Sequence, residues 1–364
     1  MLARLTLLAG PFLVAYGAIV SLLPDSRFTF RAWEEVTPGP LRGLFPGPFY
    51  PDLDLERTEV GDLGHHTPAA VSRPVHWTTD PEGLRNSAGP CPAPLQLVIG
   101  DSCAAGAALS QELTLAAMLS RRLPGCTRNW AGLSLPAVLH GLAALDRPPE
   151  AVILVVAERS LNQFRAPRLR GTGPPLALRH WAWSHLRFLG GGLRWLDRMA
   201  KGAPLAWARA TLRRSLNRTL EPSPGAIARP ELLFLHHHPP TELSSGEVER
   251  IVREHARLAA FFAAAGTRLL VVPVPEKETV AFEELGPGTP EPVQLSEIVR
   301  ALDQAGMEAV DLRLPFRRSL VGRRILPYHL DDTHWNEHGV ELAAEEVSRR
   351  LALPRSPKPR PERQ

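Results

Sequence analysis

The chain has 364 residues, 44% hydrophobic and 22% charged, with 42 Lys+Arg against 38 Asp+Glu. These are globular proportions, which exclude a wholly disordered chain or a multi-span membrane protein, and the length suits one large or two small domains with a full core. The net charge of +4 requires no polyanionic partner. Lys201, Lys277 and Lys358 are the only lysines, so the arginine content reads as a composition bias and not as a nucleic-acid signature.

Arg4 is followed by an uncharged run of 19 residues, Leu5 to Leu23. At ~1.5 Å per residue it reaches ~28 Å as a helix, close to the ~30 Å hydrocarbon core of a bilayer. The run exceeds the roughly 7–15 apolar residues of a cleaved signal, and no clean small-x-small site follows it before Pro24-Asp25. Residues 1–24 therefore read as an uncleaved signal anchor in preference to a cleaved signal or a buried core helix. With only Met1 to Arg4 before it, the positive-inside rule puts the rest of the chain outside the cytoplasm. The expectation is a single-pass protein of the cytoplasmic (inner) membrane with a periplasmic body. Residues 25–94 are rich in Pro and Gly, lack a clear period and read as a lead-in wrapped on the body of the protein.

From residue 95 to 353 the pattern is α/β. Strands are expected at Leu95–Ile99, Thr127–Ala131, Ala151–Ala157, Thr267–Pro275 and Glu308–Leu314. Helices are expected at Glu112–Leu123, Leu135–Leu145, Gly246–Ala265, Leu295–Ala305 and His338–Leu351. The continuous apolar run Ala151–Ala157 suits a central parallel strand covered on both faces. Strands alternating with helices argue a doubly wound parallel sheet, whose ligands sit at the carboxyl ends of the strands.

A basic insertion, 165–230, breaks that pattern. Between Arg165 and Arg218 there are 12 basic residues against one acid, Asp197, so this stretch is net +11 and the remainder, 30 basic against 37 acidic, is −7. Four of the eight tryptophans (Trp181, Trp183, Trp195, Trp207) lie in it. Arg/Trp-rich amphipathic helices fit anionic headgroups or a membrane partner; the plainer reading is a solvated basic cap. Residues 354–364 read as a disordered tail. Cys91, Cys103 and Cys126 allow a Cys91–Cys126 bridge or three free thiols.

Three strings carry chemistry. Gly100-Asp101-Ser102 lies at a strand end, where a serine hydroxyl is exposed and nearby N–H groups can meet a developing oxyanion. Asp332-Thr-His334 precedes the last helix; a histidine can activate the serine, and a carboxylate two residues away can fold back to fix its tautomer. Asp331 or Asp332 alone could simply be a helix N-cap. Asn129-x-x-Gly132 follows the second strand, and Gly132 either offers an N–H to the oxyanion or serves a tight turn. The His236–His238 run invites a metal reading, but consecutive residues of an extended chain face opposite ways and no further ligand joins them. Neither a metal nor a cofactor is expected.

Taken together, Gly100-Asp-Ser102, Asn129-x-x-Gly132 and Asp332-Thr-His334-Trp-Asn-x-x-Gly339 resemble the SGNH/GDSL hydrolase superfamily over roughly residues 74–351, outside the basic segment. The Asp-x-His-Trp spelling is similar to the alginate O-acetyltransferase-like branch, as are Val272-Pro-Val-Pro-Glu-Lys277 and Glu158-Arg-Ser-Leu161. Thr79-Asp-Pro-Glu-Gly-Leu-Arg85 resembles a lead-in of its membrane-anchored members. In this chain the serine string precedes the acid–histidine string, as in ordinary members of the superfamily, and the usual Asn block after the third strand is absent. The resemblance implies a three-layer, flavodoxin-like α/β fold with a central parallel sheet. It also implies Ser102 as nucleophile, His334 as base, Asp332 as acid, and an oxyanion site from the Ser102 and Gly132 N–H groups with Arg159 or Asn162 as third donor. The activity implied is O-acetyl transfer to an extracytoplasmic polysaccharide; the alternatives are a GDSL-type esterase or deacetylase acting on an acylated glycan or small ester, and a non-catalytic glycan-binding or assembly protein. A membrane-bound acyl-donor protein is the partner such systems imply, and nucleic acid is not expected.

Overall fold

The computed structural model describes residues 2–354 apart from 24–28, 30, 31, 66, 88, 90, 94, 167–182, 184, 186, 202–211, 213–231, 235–242, 286, 287 and 290. His236–His238, most of the 165–230 insertion and the 355–364 tail lie outside the described residues.

Leu2–Leu22 forms helix α1, with Pro11 inside it. Its side chains are described only from Gly10, a stretch shorter than a span, and among the described residues no helix is long and apolar enough to cross a membrane. The lead-in contains a hairpin that sequence period did not reveal. Strands β1 (Asp54–Glu59) and β2 (Arg73–Thr78) pair antiparallel with Asp54 opposite Thr78. Only Val75, Trp77 and Glu59 are buried on this ribbon, so the alternation is carried by too few apolar residues to read.

Five further strands build one parallel sheet: β3 (Leu95–Gly100), β4 (Cys126–Asn129), β5 (Ala151–Ala157), β6 (Arg268–Val274) and β7 (Glu308–Ala309). Their order is β4-β3-β5-β6-β7, the flavodoxin-like arrangement, with the topological switch between β3 and β5. Every residue of β5 is buried, as its unbroken apolar run requires of a central strand. Alternate residues feed two cores. Val98, Ile153, Val155, Leu270 and Val272 face α3 (Leu115–Arg122) and the last helix; Leu97, Ile99, Val152, Leu154 and Val271 face the other layer. Full burial of each such side chain stabilises by about 1.5–3 kcal/mol.

Between these strands the chain forms α2 (Ser102–Ala105), α4 (Leu135–Ala143), α5 (Glu158–Leu161) and α6 (Gly190–Lys201). Beyond the insertion come α7 (Ser245–Ala264), α8 (Lys277–Val280), α9 (Gln294–Gln304), α10 (Arg313–Arg318) and α11 (Glu337–Ala352). Val138, Ile251, Phe262, Ile298 and Leu302 supply the α4–α7–α9 layer. Thr114 caps α3, and a Ser244/Glu247 capping box starts α7.

The expected strand Glu308–Leu314 stops at Ala309. The Asp311 carboxylate accepts the Arg313 N–H at 2.9 Å and turns the chain into α10. Cys91 and Cys126 form a disulfide, Cα–Cα 5.3 Å, which ties the lead-in to the start of β4. Cys103 is free and buried, and burial pushes its thiol well up.

Candidate active site

The site forms where β3, β4 and β5 end, beside the switch point. Gly100 closes β3 at φ +143°, and a Cβ there would stand 1.9 Å from the Val155 carbonyl oxygen, so only glycine fits between the two strands. Asp101 then caps α2. Its Oδ1 accepts the Cys103 N–H at 3.0 Å and its Oδ2 the Ala157 N–H at 2.8 Å, which fastens the end of β3 to the end of β5. Ser102 follows as the first residue of α2, exposed into the cleft.

The sheet brings Ser102 to His334 across 232 residues: Ser102 Oγ is 2.8 Å from His334 Nε2. On the other side of the ring, Nδ1 is 2.6 Å from Asp332 Oδ1, which also accepts the His334 N–H at 3.0 Å. With Nδ1–H donating to the carboxylate, Nε2 is free to accept the serine proton. Burial alone would raise the Asp332 carboxyl, but the His334 charge and hydrogen bonds from His334 and the Asp62 N–H outweigh it and hold it far below the usual range. Burial likewise opposes protonation of His334, but the charge and hydrogen bond of Asp332, with Asp62, raise its pKa against the opposing charge of Arg159.

The rest of the terminal string is architecture. Trp335 is fully buried; Asn336 caps α11 by accepting the Gly339 N–H at 3.0 Å and holds the Leu326 and Tyr328 carbonyls. A Cβ on Gly339 would lie 2.2 Å from the Pro327 carbonyl oxygen.

The two adjacent aspartates have separate tasks. Asp331, with no exposed surface, accepts the Gly61 and Val71 N–H groups at 2.8 Å each and pairs with Arg73; its carbonyl accepts from Leu63 and Gly64. It is the anchor for the loop between β1 and β2. That loop returns the Asp62 N–H to Asp332 Oδ2 at 3.0 Å. Lys277, also buried, donates to the Leu233, His329 and Leu330 carbonyls and so braces the segment that carries both aspartates; burial lowers its pKa to about 8.

The lead-in string has a structural reason too. Arg85, stacked 3.6 Å over Trp77, donates to the Ala105, Gly106 and Leu109 carbonyls behind Ser102. Asp80 and Asn86 hold Asn129, whose amide in turn donates to the Ala104 carbonyl at 3.0 Å.

The expected oxyanion donors lie in different settings. Gly132 lines the pocket at φ +81°, but its N–H donates to the Gly100 carbonyl at 3.0 Å. That bond closes the turn after β4. Asn162 points away from the pocket, its amide on Glu247 at 3.0 Å and its oxygens on Arg250, because the start of α7 lies there. Arg159 does reach the pocket wall, held by Glu276 at 2.5 Å. Glu276 is set by Glu158, which accepts its N–H and the Thr279 hydroxyl and whose pKa burial raises to about 7.

The pocket measures about 720 Å³, within the ~300–1,000 Å³ of small-molecule sites. Ser102, His334, Asp62, Arg159, Trp77 and Phe49 are among its lining residues. Asp62 is the residue that sequence reasoning missed: it belongs to a loop with no motif, placed by the Asp331 clamp and by its own N–H on Asp332. Asp62, Asp332 and His334 offer ligand atoms within 4.8 Å of one another, but both Asp332 oxygens accept N–H donors and both His334 nitrogens are engaged, a set suited to moving protons.

No curated protein matches the chain. Among solved structures, a catalytic mutant of the acetylxylan esterase Axe2 from Geobacillus stearothermophilus is 11% identical, over 75% of this chain and 100% of its own, with a TM-score of 0.35. A second crystal structure is 13% identical, over 71% and 95%, with a TM-score of 0.32. Residues 226–364, which carry β6, β7 and the Asp332–His334 loop, match the family described as SGNH hydrolase-like domain, acetyltransferase AlgX.

Proposed function

We propose that this chain is a serine-dependent acyl-ester enzyme of the SGNH type, anchored in the cytoplasmic membrane by α1 and acting as an O-acetyltransferase on an extracytoplasmic polysaccharide. The observation that carries the reading is the hydrogen-bonded line Ser102 Oγ–His334 Nε2, His334 Nδ1–Asp332 Oδ1, at 2.8 and 2.6 Å, ending in a pocket. The matched domain supports acyl-ester chemistry, and the uncharged Leu5–Leu23 run supports the anchor.

In this mechanism His334 takes the Ser102 proton as Oγ attacks the ester carbonyl, and Asp332 steadies the imidazolium. The Ser102 N–H meets the oxyanion, with the Arg159 guanidinium on the same pocket wall; losing one such donor typically costs ~2.7–4 kcal/mol of barrier. His334 then protonates the departing alcohol and leaves an acyl-serine. An incoming hydroxyl, deprotonated by His334, attacks the acyl carbon; the acyl–Oγ bond breaks and His334 returns the proton to Ser102 Oγ. If that hydroxyl belongs to a sugar the result is transfer, and if to water, hydrolysis.

The test is acetate release from an aryl acetate by the detergent-purified full chain, with and without a candidate glycan. Ser102→Ala should abolish release, and glycan should divert acetyl groups into sugar esters. Release by Ser102→Ala as fast as wild type overturns the reading; release undiminished by any glycan turns it to an esterase.

A further inference from the structure

Helix α6 touches the N-terminal helix, the lead-in and the Ser102 pocket, and its two faces differ. The inward face carries Asp197, which is fully buried and accepts from the Gly39 and Leu41 N–H groups at 2.7 and 2.6 Å and from the Tyr50 hydroxyl at 2.5 Å. One helical turn on, Lys201 donates to the Glu34 and Thr37 carbonyls, and Ala200 and Lys201 line the pocket that holds Ser102. The outward face packs along α1. Trp195 Nε1 donates to Ser21 Oγ at 2.8 Å, the Tyr16 hydroxyl to the Met199 carbonyl at 2.6 Å, and Arg198 to the Leu23 carbonyl at 3.3 Å. A Cβ on Gly17 would lie 3.1 Å from the Trp195 ring, so glycine permits this approach.

Beside that contact, apolar side chains of α6 and of the turn before it stay bare. Phe188 is 78% exposed, and Leu189, Trp195 and Leu196 are exposed with it. On α1 itself Phe12, Val14, Ile19 and Leu22 are exposed. Within α6, Trp195 and Met199 share the stripe opposite Asp197 and meet α1, and Leu196 flanks that stripe; Phe188 and Leu189 belong to the 3-10 turn Arg187–Leu189 that leads into α6.

We propose that α6 is an interfacial helix, seated in the outer headgroup layer of the bilayer that α1 spans, and that it holds the Ser102 pocket against this layer so that the acyl donor is an ester carried on a membrane lipid, the polysaccharide being the acceptor. The proposal rests on the acyl-ester reading of Ser102 and on the anchor reading of α1. Depth agrees with it. The α1 residues that touch α6 run from Tyr16 to Leu23, ~10 Å along the helix axis, and interfacial helices bury their apolar face ~5–10 Å. Residue type agrees as well: Trp195, Tyr16 and Arg198 are side chains that favour the water–lipid boundary. So does charge. Of the 13 charged residues between Arg165 and Arg218 only Asp197 is acidic, and α6 turns it away from the apolar face.

The test uses the full chain in mixed phosphatidylethanolamine–phosphatidylglycerol vesicles. Nitroxide labels are placed at Phe188→Cys or Leu196→Cys; Cys91 and Cys126 are bonded to each other and Cys103 is buried. Both labels should be more accessible to oxygen than to a water-soluble nickel chelate. Preference for the chelate places α6 in water, and exclusion of both reagents means a second copy or another protein covers it; either result overturns the lipid assignment. In parallel, Phe188→Asp/Leu196→Asp should lower turnover of an aryl acetate carried on a diacylglycerol in the vesicles by at least about tenfold while leaving a water-soluble aryl acetate unchanged. Equal effects on both esters, or none, overturn the delivery role. If wild type cleaves neither ester, the acyl-ester reading fails, and the label accessibilities still judge α6.

Discussion

Replacing Asp331 by Ala removes the acceptor of three donors at once: the Gly61 N–H, the Val71 N–H and the Arg73 guanidinium. Arg73 is 13% exposed and Asp331 not at all, so the guanidinium loses its partner away from water. Breaking a buried ion pair from one side costs about 3–5 kcal/mol, and each orphaned buried N–H about 1–3 kcal/mol. The loop between β1 and β2 can relax toward solvent, so the contributions overlap, and a net loss of about 4–6 kcal/mol is expected against a total of about 5–15 kcal/mol. At about 2–4 °C per kcal/mol, thermal unfolding followed by circular dichroism should show Tm lower by roughly 10–20 °C. Asp331→Ala/Arg73→Met removes the stranded charge as well and should recover part of the loss. Asp332→Asn should behave in the opposite way, keeping Tm near wild type while kcat on an aryl acetate falls by about 10⁴, because an amide there favours the wrong His334 tautomer. An Asp331→Ala protein that melts like wild type refutes the clamp. Asp332→Asn with normal turnover beside an inactive, stable Asp331→Ala would mean the two aspartates have been assigned the wrong way round.

The acidic limb of kcat/KM should report His334, which must be neutral to take the Ser102 proton, so activity rises with pH through its pKa. Asp332 and Asp62 raise that pKa above the ordinary histidine value of ~6.5. Asp62→Asn keeps the N–H on Asp332 and removes one charge, so the limb should move to lower pH; a limb that stays or rises contradicts the role given to Asp62. The Cys91–Cys126 bridge closes a loop of 35 residues, worth at most about 4 kcal/mol by chain entropy. Cys91→Ser/Cys126→Ser should therefore lower Tm in denaturation scans while leaving the aryl acetate KM unchanged, and an unaltered Tm would show the bridge to be idle.

Much of the body could be read directly, because its strands are buried on both faces and long apolar runs mark them. The strand end marks where Ser102 lies, but residue spacing left open whether Asp331 or Asp332 faces the ring; the contact of Asp332 with His334 Nδ1 and of Asp331 with the β1–β2 loop separates them. The hairpin escaped because a ribbon half open to water needs few apolar residues. Glu308–Leu314 misled because its apolar residues serve first a short edge strand and then a helix, with the Asp311 turn between them. The Gly132 amide and Asn162 could not be resolved from residue type. A glycine N–H faces a substrate or a neighbouring carbonyl according to the pairing of its loop, and Asn162 is drawn to Glu247 by a helix 85 residues away. Asp62 was hidden for the same reason, since it reaches the site through contacts 270 residues apart in sequence.

The central claim is that Ser102 becomes acylated. Intact-mass and peptide mass spectrometry of the full chain, quenched in acid during turnover of an aryl acetate, tests it most directly. One acetyl group on the peptide carrying Ser102, absent from Ser102→Ala and accumulating when deacylation is slowed by removing the acceptor, is the expected result. Turnover without any acetylated serine, or an acetyl group carried by another residue, would contradict it.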